Sequence, residues 1–187
     1  MAKKENQRIA LTKRLIREAL LIMLQKSAIQ KITVRDLCAQ AGINRTTFYN
    51  HYGSPEDVLQ DMSRDYLDDI EGTLNSADID DREQIHQRVV FVFRYMLEHL
   101  DMSRLLINSN LDNSFSERLF SIPRILDLLE GTLSSVTDAC EKRAIISFVV
   151  SGSYQLVQDW LNCDRRISPD EEARLVLTLA NRVCTEK

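Results

Sequence analysis

Between Thr33 and Tyr49 the chain reads TVRDLCAQAGINRTTFY, a run whose helix start and stop signals leave room for little but one local fold. Thr33 followed by Asp36 is a capping box, in which a hydroxyl and a carboxylate reciprocally satisfy N–H groups at a helix start. Gly42 supplies the backbone freedom that ends this helix. Asn44 then caps a second helix almost at once. Val34, Leu37 and Cys38 point inward from the first helix, and Phe48 and Tyr52, four residues apart, from the second. Two short helices joined by a Gly-containing turn are thus expected.

The flanks extend the helical pattern. Upstream, Ile9, Ile16, Ala19, Leu20, Met23 and Leu24 form one apolar stripe on a helix expected over residues 6–27, with Lys13, Arg14 and Arg17 largely off it. Downstream, Ser54-Pro55-Glu56-Asp57 is a start signal for a helix running to about Leu74 through Val58, Leu59, Met62, Tyr66 and Ile70. The polar NSADIDDRE is a connection, and VVFVF within residues 82–100 predicts a helix buried nearly all round. A short helix over 101–110, a segment from Ser114 to Ser135 broken at Pro123 and a long helix over 138–162 follow. Ser168-Pro169-Asp170-Glu171 opens a last helix. With only 5 glycines and 3 prolines in 187 residues, turn chemistry for a β-rich fold is scarce. The expectation is an all-α fold of about nine helices. Residues 1–53 are expected to form a helix-turn-helix domain and residues 54–187 a second helical domain, with 54–74 as the connecting helix.

Charge is divided along the chain. Residues 1–53 carry ten Lys/Arg against three Asp/Glu, a net +7, whereas the remainder carries −11. A basic head on an acidic body points to a polyanion partner, although a solvated basic helix face gives the same count. No apolar run reaches the roughly 18 residues that span a bilayer. MAKKENQR lacks a signal-peptide core, so a cytoplasmic protein is expected, on the nucleoid when bound to DNA. Cys38, Cys140, Cys163 and Cys184 form no CxxC pair and no Cys/His cluster, and packed thiols rather than a disulfide or metal site are expected. No catalytic residue, metal or cofactor is expected, because there is no Gly-rich phosphate loop, no metal-ligand spacing and no nucleophile–base pair.

The second short helix would be the reader of a DNA major groove. Arg45 can give paired donors to guanine, and Thr46 and Thr47 a hydroxyl or a methyl to base edges. Tyr49 and His51 can donate to phosphate oxygens, and Arg35 can reach a base or phosphate. The helix starts near Thr33 and Asn44 add N–H groups favourable to anions. Tyr49 also suits a half-buried core position and His51 a cap; the case lies in their coincidence on one helix.

These residues carry a resemblance. ITVRDLCAQAGINRTTFYNHYGSPEDVL, within residues 9–59, resembles the DNA-binding domain of the tetracycline-repressor-type (TetR) family. The resemblance implies that Thr33, Tyr49 and His51 contact phosphates and that Arg35, Arg45, Thr46, Thr47 and Asn50 face bases or flanking phosphates. It places Leu37, Ile43, Phe48 and Tyr52 in a small core. Where family members often carry a phosphate-clamping lysine, this chain has Gly53 to Asp57, with two acids that would repel DNA if they faced it. Further on, ISFVVSGSYQLVQDWLNCDRRISPDEEA is similar to the family's dimerisation region. That similarity implies a homodimer interface at Phe148, Ser151, Gly152, Gln155, Trp160, Leu175 and Leu179. Gly152 costs about 1 kcal/mol in a helix interior relative to alanine, which close approach of another helix would explain, as would packing within the chain.

The function expected is a dimeric regulator, usually a repressor, of a near-palindromic double-stranded operator, released by a small-molecule effector. A candidate pocket lies between the fourth and seventh helices, at Met62, Tyr66, Phe91, Tyr95, His99, Leu106 and Phe115. The alternative is an adaptor of the same fold whose body, with DIDD at Asp78 to Asp81, binds a protein partner. No membrane partner is expected.

Overall fold

The computed structural model describes residues 2–74, 82–108, 119, 125, 133, 136–164 and 166–185. The expected segment from Ser114 to Ser135 and the DIDD run lie outside these, apart from three isolated positions. Eight α-helices and no strands are found among the described residues: α1 Ala2–Leu24, α2 Val34–Ala41, α3 Arg45–Tyr49, α4 Pro55–Leu74, α5 Arg82–Glu98, α6 Leu100–Asn108, α7 Ala139–Asn162 and α8 Pro169–Thr185. The chain divides into two compact units, Met1–Tyr66 and Leu67–Lys187, so the division falls inside α4.

In the first unit α1 packs on α2 and α2 on α3. Ile16, Leu20, Leu37, Phe48 and Val58 are its fully enclosed apolar side chains. The apolar stripe of α1 is shorter at its start than the sequence suggests. Ile9 is 41% exposed, and the helix closes at Leu24, where Lys26 and Ser27 turn back to the Met23 carbonyl.

The second unit is built on α5 against α8, with α7 packed on both α8 and α6. Phe93 meets Trp160 edge-on at 5.2 Å, and the Trp160 Nε1 donates to the Ile167 carbonyl at 2.8 Å. Tyr154 Oη donates to the Ile107 carbonyl at 2.8 Å and Arg104 Nε to the Leu161 carbonyl at 2.9 Å, tying α6 to α7. Ser103 Oγ spans the Met96 and His99 carbonyls at the α5–α6 corner, which satisfies a hydroxyl that is wholly buried. At the start of α8 the Ser168 hydroxyl accepts from the Glu171 N–H, and the Glu171 carboxylate accepts from the Ser168 N–H, as the capping signal predicts.

Two expectations are corrected here. VVFVF is not buried all round: Val90, Val92 and Phe93 are, but Phe91 is 49% exposed, because α5 keeps one face open. Of the four thiols only Cys38 and Cys184 are packed; Cys140 and Cys163 are exposed, since they sit in the first turn and at the C-cap of α7, beyond the core layer.

Candidate nucleic-acid interface

The reader is held by its caps. Thr33 Oγ1 accepts from the Asp36 N–H at 3.2 Å, the N-cap half of the capping box, and its hydroxyl donates to the Asp36 carboxylate at 2.7 Å. Gly42 adopts φ 67°, ψ 30°, the left-handed conformation that favours glycine. Its N–H reaches the Ala39 carbonyl and that of Ile43 the Cys38 carbonyl, a complete Schellman turn. Asn44 Oδ1 then accepts from the Thr47 N–H at 2.7 Å. Each cap contributes about 1 kcal/mol, and together they aim a helix of only 5 residues that could not hold its shape alone.

At 100° per residue, Arg45, Tyr49, Thr46 and Asn50 occupy one arc of about 140° on α3, with Phe48 on the other side. Burial follows that geometry. Phe48 is 0% exposed, Tyr49 is 59% exposed, Arg45, Thr46 and Asn50 are exposed, and Thr47 and His51 are half-buried. Tyr49 rests edge-on against Phe48 at 5.6 Å between ring centroids, so the core ring fixes the phenol while its hydroxyl stays in solvent. Arg35 and Arg45 are exposed and make no ion pair among the described residues, leaving both guanidinium groups available to an anion. All eight residues singled out for DNA contact are solvent-accessible at least in part. The Thr33 hydroxyl already donates to Asp36, so a phosphate at this position competes with the capping box or uses the helix N–H groups.

The two acids at the start of α4 are partly accounted for. The Asp57 carboxylate turns back to accept from the Gly53 and Ser54 N–H groups at 2.9 and 3.0 Å, while Ser54 Oγ accepts from the Asp57 N–H at 3.2 Å. Asp57 is spent on a capping box, and the positive end of the helix offsets its charge.

Sequence reasoning missed one cluster, centred on Asp61. Its Oδ2 lies 2.6 Å from Arg17 Nη2, 3.4 Å from Lys13 Nζ and 2.7 Å from the Tyr52 hydroxyl, which donates to it; its Oδ1 lies 2.7 Å from Arg64 Nη2. Arg17 also pairs with Asp65 at 2.7 Å, and the Lys13 ammonium sits 5.2 Å from the centre of the Tyr52 ring. Desolvation raises the Asp61 pKa, but hydrogen bonds from Arg17, Tyr52 and Arg64 outweigh it and hold the carboxyl well below the usual carboxylate range. Burial, then the hydrogen bond to Asp61, pushes the Tyr52 phenol up to about 12. Lys13 and Arg17 therefore belong less to a DNA-facing charge than to the clamp of α1 on the first part of α4. Counted over Met1–Tyr66 the excess is eleven Lys/Arg against seven Asp/Glu, or +4. The only signal for the cluster was a pair of acids four apart in α4, whose partner lies 44 residues away.

The other expected site residues belong to the body. Phe91 and Tyr95 border one hollow beside α4; Leu106 is core, and His99 is exposed with its ring 4.5 Å from that of Tyr95. Met62 and Tyr66 fall in the first unit, and Phe115 lies outside the described residues. Phe148, Ser151, Gly152, Gln155, Leu175 and Leu179 are exposed on α7 and α8, whereas Trp160, 4% exposed, is enclosed by its own chain.

A capped α3 packed on α2, with Arg45 on the one and Arg35 on the other both exposed, defines a helix-turn-helix DNA-binding protein. A sequence model of the family, TetR_C_8, the transcriptional regulator C-terminal region, matches residues 83–182. The chain belongs to the TetR family of transcriptional regulators. It is 23% identical over 175 residues to the HTH-type transcriptional regulator YxbF of Bacillus subtilis (strain 168), covering 89% of this chain and 44% of that protein, so it spans less than half the length of that relative. A TetR transcriptional regulator from Streptococcus agalactiae 2603V superimposes with a TM-score of 0.74 at 22% identity over 96% of this chain and 99% of the other. The TetR-family repressor FadR of Thermus thermophilus, solved with lauroyl-CoA, gives a TM-score of 0.59 at 14% identity over 94% and 96%. At these identities the two structures share the fold. No described helix is long and apolar enough to cross a membrane.

Arg45→Ala tests direct readout. One base pair of the preferred duplex loses its selectivity by about 1–3 kcal/mol in competition binding. An equal loss on every sequence would show Arg45 to be a phosphate contact only.

Proposed function

We propose that this regulator is a homodimeric repressor that grips a near-palindromic operator through α3 and the start of α2 and is released by a small-molecule effector. Thr33, Tyr49 and His51 hold phosphates, and Arg35, Arg45, Thr46, Thr47 and Asn50 face bases or flanking phosphates. The single observation that carries the reading is the pairing of an inward Phe48 with an outward Arg45–Thr46–Tyr49–Asn50 arc. Residues 1–53 serve as the DNA head and residues 54–187 as the regulatory body.

Dimerisation is supported by the apolar surface of α7 and α8. Phe148 is 68% exposed, and Leu175, Leu179 and Val183 add to the same pair of helices. Trp160 stiffens that surface from behind rather than meeting the partner. A two-fold dimer places two α3 helices about 34–36 Å apart, one turn of DNA. The repressor FadR, solved with lauroyl-CoA, is a precedent for a ligand in this fold. An effector releases DNA only by binding the two states with different affinity.

Selection from a randomised duplex library tests the operator: an inverted repeat with half-sites one helical turn apart is expected, and a single direct site would overturn the dimeric reading. Gly152→Leu tests the interface independently. A Cβ at Gly152 meets nothing within 4 Å in the chain, so the protomer tolerates the change. Sedimentation should therefore shift toward monomer, and an unchanged dimer would place the interface elsewhere.

A further inference from the structure

We infer that the hollow bordered by α5 and the 68–73 stretch of α4 binds a planar aromatic ligand carrying one carboxylate. This rests on the reading of the body as an effector domain and names the chemistry of its ligand. Phe91 is the starting point. Its neighbours Val90, Val92 and Phe93 are buried, yet it keeps half its surface in solvent in the middle of a helix. The Arg88 and Arg94 guanidinium carbons lie 6.0 and 5.8 Å from the centre of its ring. All three border a hollow of about 610 Å³, within the range of small-molecule sites. At Gly72, on the α4 side, an added Cβ would meet nothing within 4 Å, so that wall is open.

The polar groups decide what fits. Asp68, Asp69 and Glu98 border the same hollow, but none comes within ion-pair distance of Arg88 or Arg94. Asp69 accepts the Tyr95 hydroxyl at 2.7 Å. Among the described residues both guanidinium groups are therefore free of carboxylate partners beside an aromatic face. A guanidinium presents parallel N–H donors that match a carboxylate, and the Phe91 ring offers a stacking surface to a flat apolar body. The three nearby acids repel a polyanion, which favours a ligand with a single negative charge over a di- or triphosphate. Phe91 and Arg94 also border a second hollow of about 340 Å³ that includes Asp170 and Arg174 of α8, so the ring stands on the ridge between the two. A ligand on Phe91 touches the α8 side as well as the α4 side of α5.

The test is calorimetric titration of the full chain with 2-naphthoate, with 2-naphthylmethanol as neutral isostere and 2-naphthyl phosphate as dianion. Saturable binding of 2-naphthoate is expected, at least about tenfold tighter than the alcohol and tighter than the phosphate. Arg88→Ala with Arg94→Ala should lower its affinity at least about tenfold, and Phe91→Ala should weaken it too, with unchanged circular dichroism melts. No saturable binding up to about 1 mM, equal affinity for the alcohol, or indifference to the double arginine variant would each overturn the site. The same titration on duplex-bound protein separates the two readings. Binding that depends on Arg88 and Arg94 but leaves DNA affinity unchanged keeps the site and removes the effector role. DNA release that ignores both arginines removes this site and keeps the effector role.

Discussion

Replacing Tyr49 and His51 together by alanine lowers affinity for operator and unrelated duplexes alike, by about 100-fold. Each side chain offers one donor to a phosphate oxygen, and hydrogen bonds to charged groups contribute about 1.5–3 kcal/mol apiece, so losing two removes roughly 3 kcal/mol. The loss is indifferent to sequence because a phosphate looks the same at every base pair. Neither side chain is core: Tyr49 leans on Phe48 from outside and His51 is half-buried at the end of the turn. The fold should survive, as circular dichroism will show. Fluorescence anisotropy on preferred and scrambled duplexes reads the result, and unchanged affinity on both would sink the assignment of α3 as the reader.

Asp61→Asn should destabilise the first unit by about 2 kcal/mol at neutral pH, between the values typical of exposed and buried ion pairs. The substitution keeps the shape and removes the charge that gathers Arg17, Lys13, Arg64 and the Tyr52 hydroxyl. The pH dependence has a definite sign. The folded pKa of Asp61 lies below its unfolded value, so its contribution is fully present above that unfolded value, near 4. It is lost as pH falls toward the folded value. Denaturation of wild type and variant from pH 7 to 3 should show a gap that begins to narrow below about pH 4. A gap that stays constant would mean that the charge contributes nothing. The sole tryptophan, Trp160, lies in the second unit, so hydrogen exchange at α1 amides is the informative probe. DNA affinity should fall with the same variant, since the clamp holds α1, on which α2 packs.

The local chemistry of the head was legible residue by residue. Thr33 with Asp36, Gly42, Asn44, and Ser54 with Asp57 act over three or four positions, and a short-range signal needs no knowledge of distant chain. The inward Phe48 followed from helical period alone, whereas Tyr49, which in sequence also suited a half-buried position, is 59% exposed. The body was harder to read. VVFVF is apolar in sequence, but which of its residues stays in water depends on whether another element covers that face. The resemblance implied Trp160 at a homodimer interface; within the protomer its ring meets Phe93 edge-on, a contact between α7 and α5 that no local pattern encodes. Cys140 and Cys163 were expected to pack, yet they project from helix ends, beyond the core layer.

By itself, then, the sequence determined the helices of the head, their caps and the inward position of Phe48 on α3, because each depends on neighbours within about one helical turn. Only the tertiary structure decided what Lys13 and Arg17 do. Their charge was counted toward DNA, but Asp61 and Asp65, more than forty residues on, take it up. The same holds for Arg88 and Arg94, left without carboxylate partners among the described residues beside an exposed ring. Whether a charge is spent or free is a matter of distance in space, and chain composition carries no such distance.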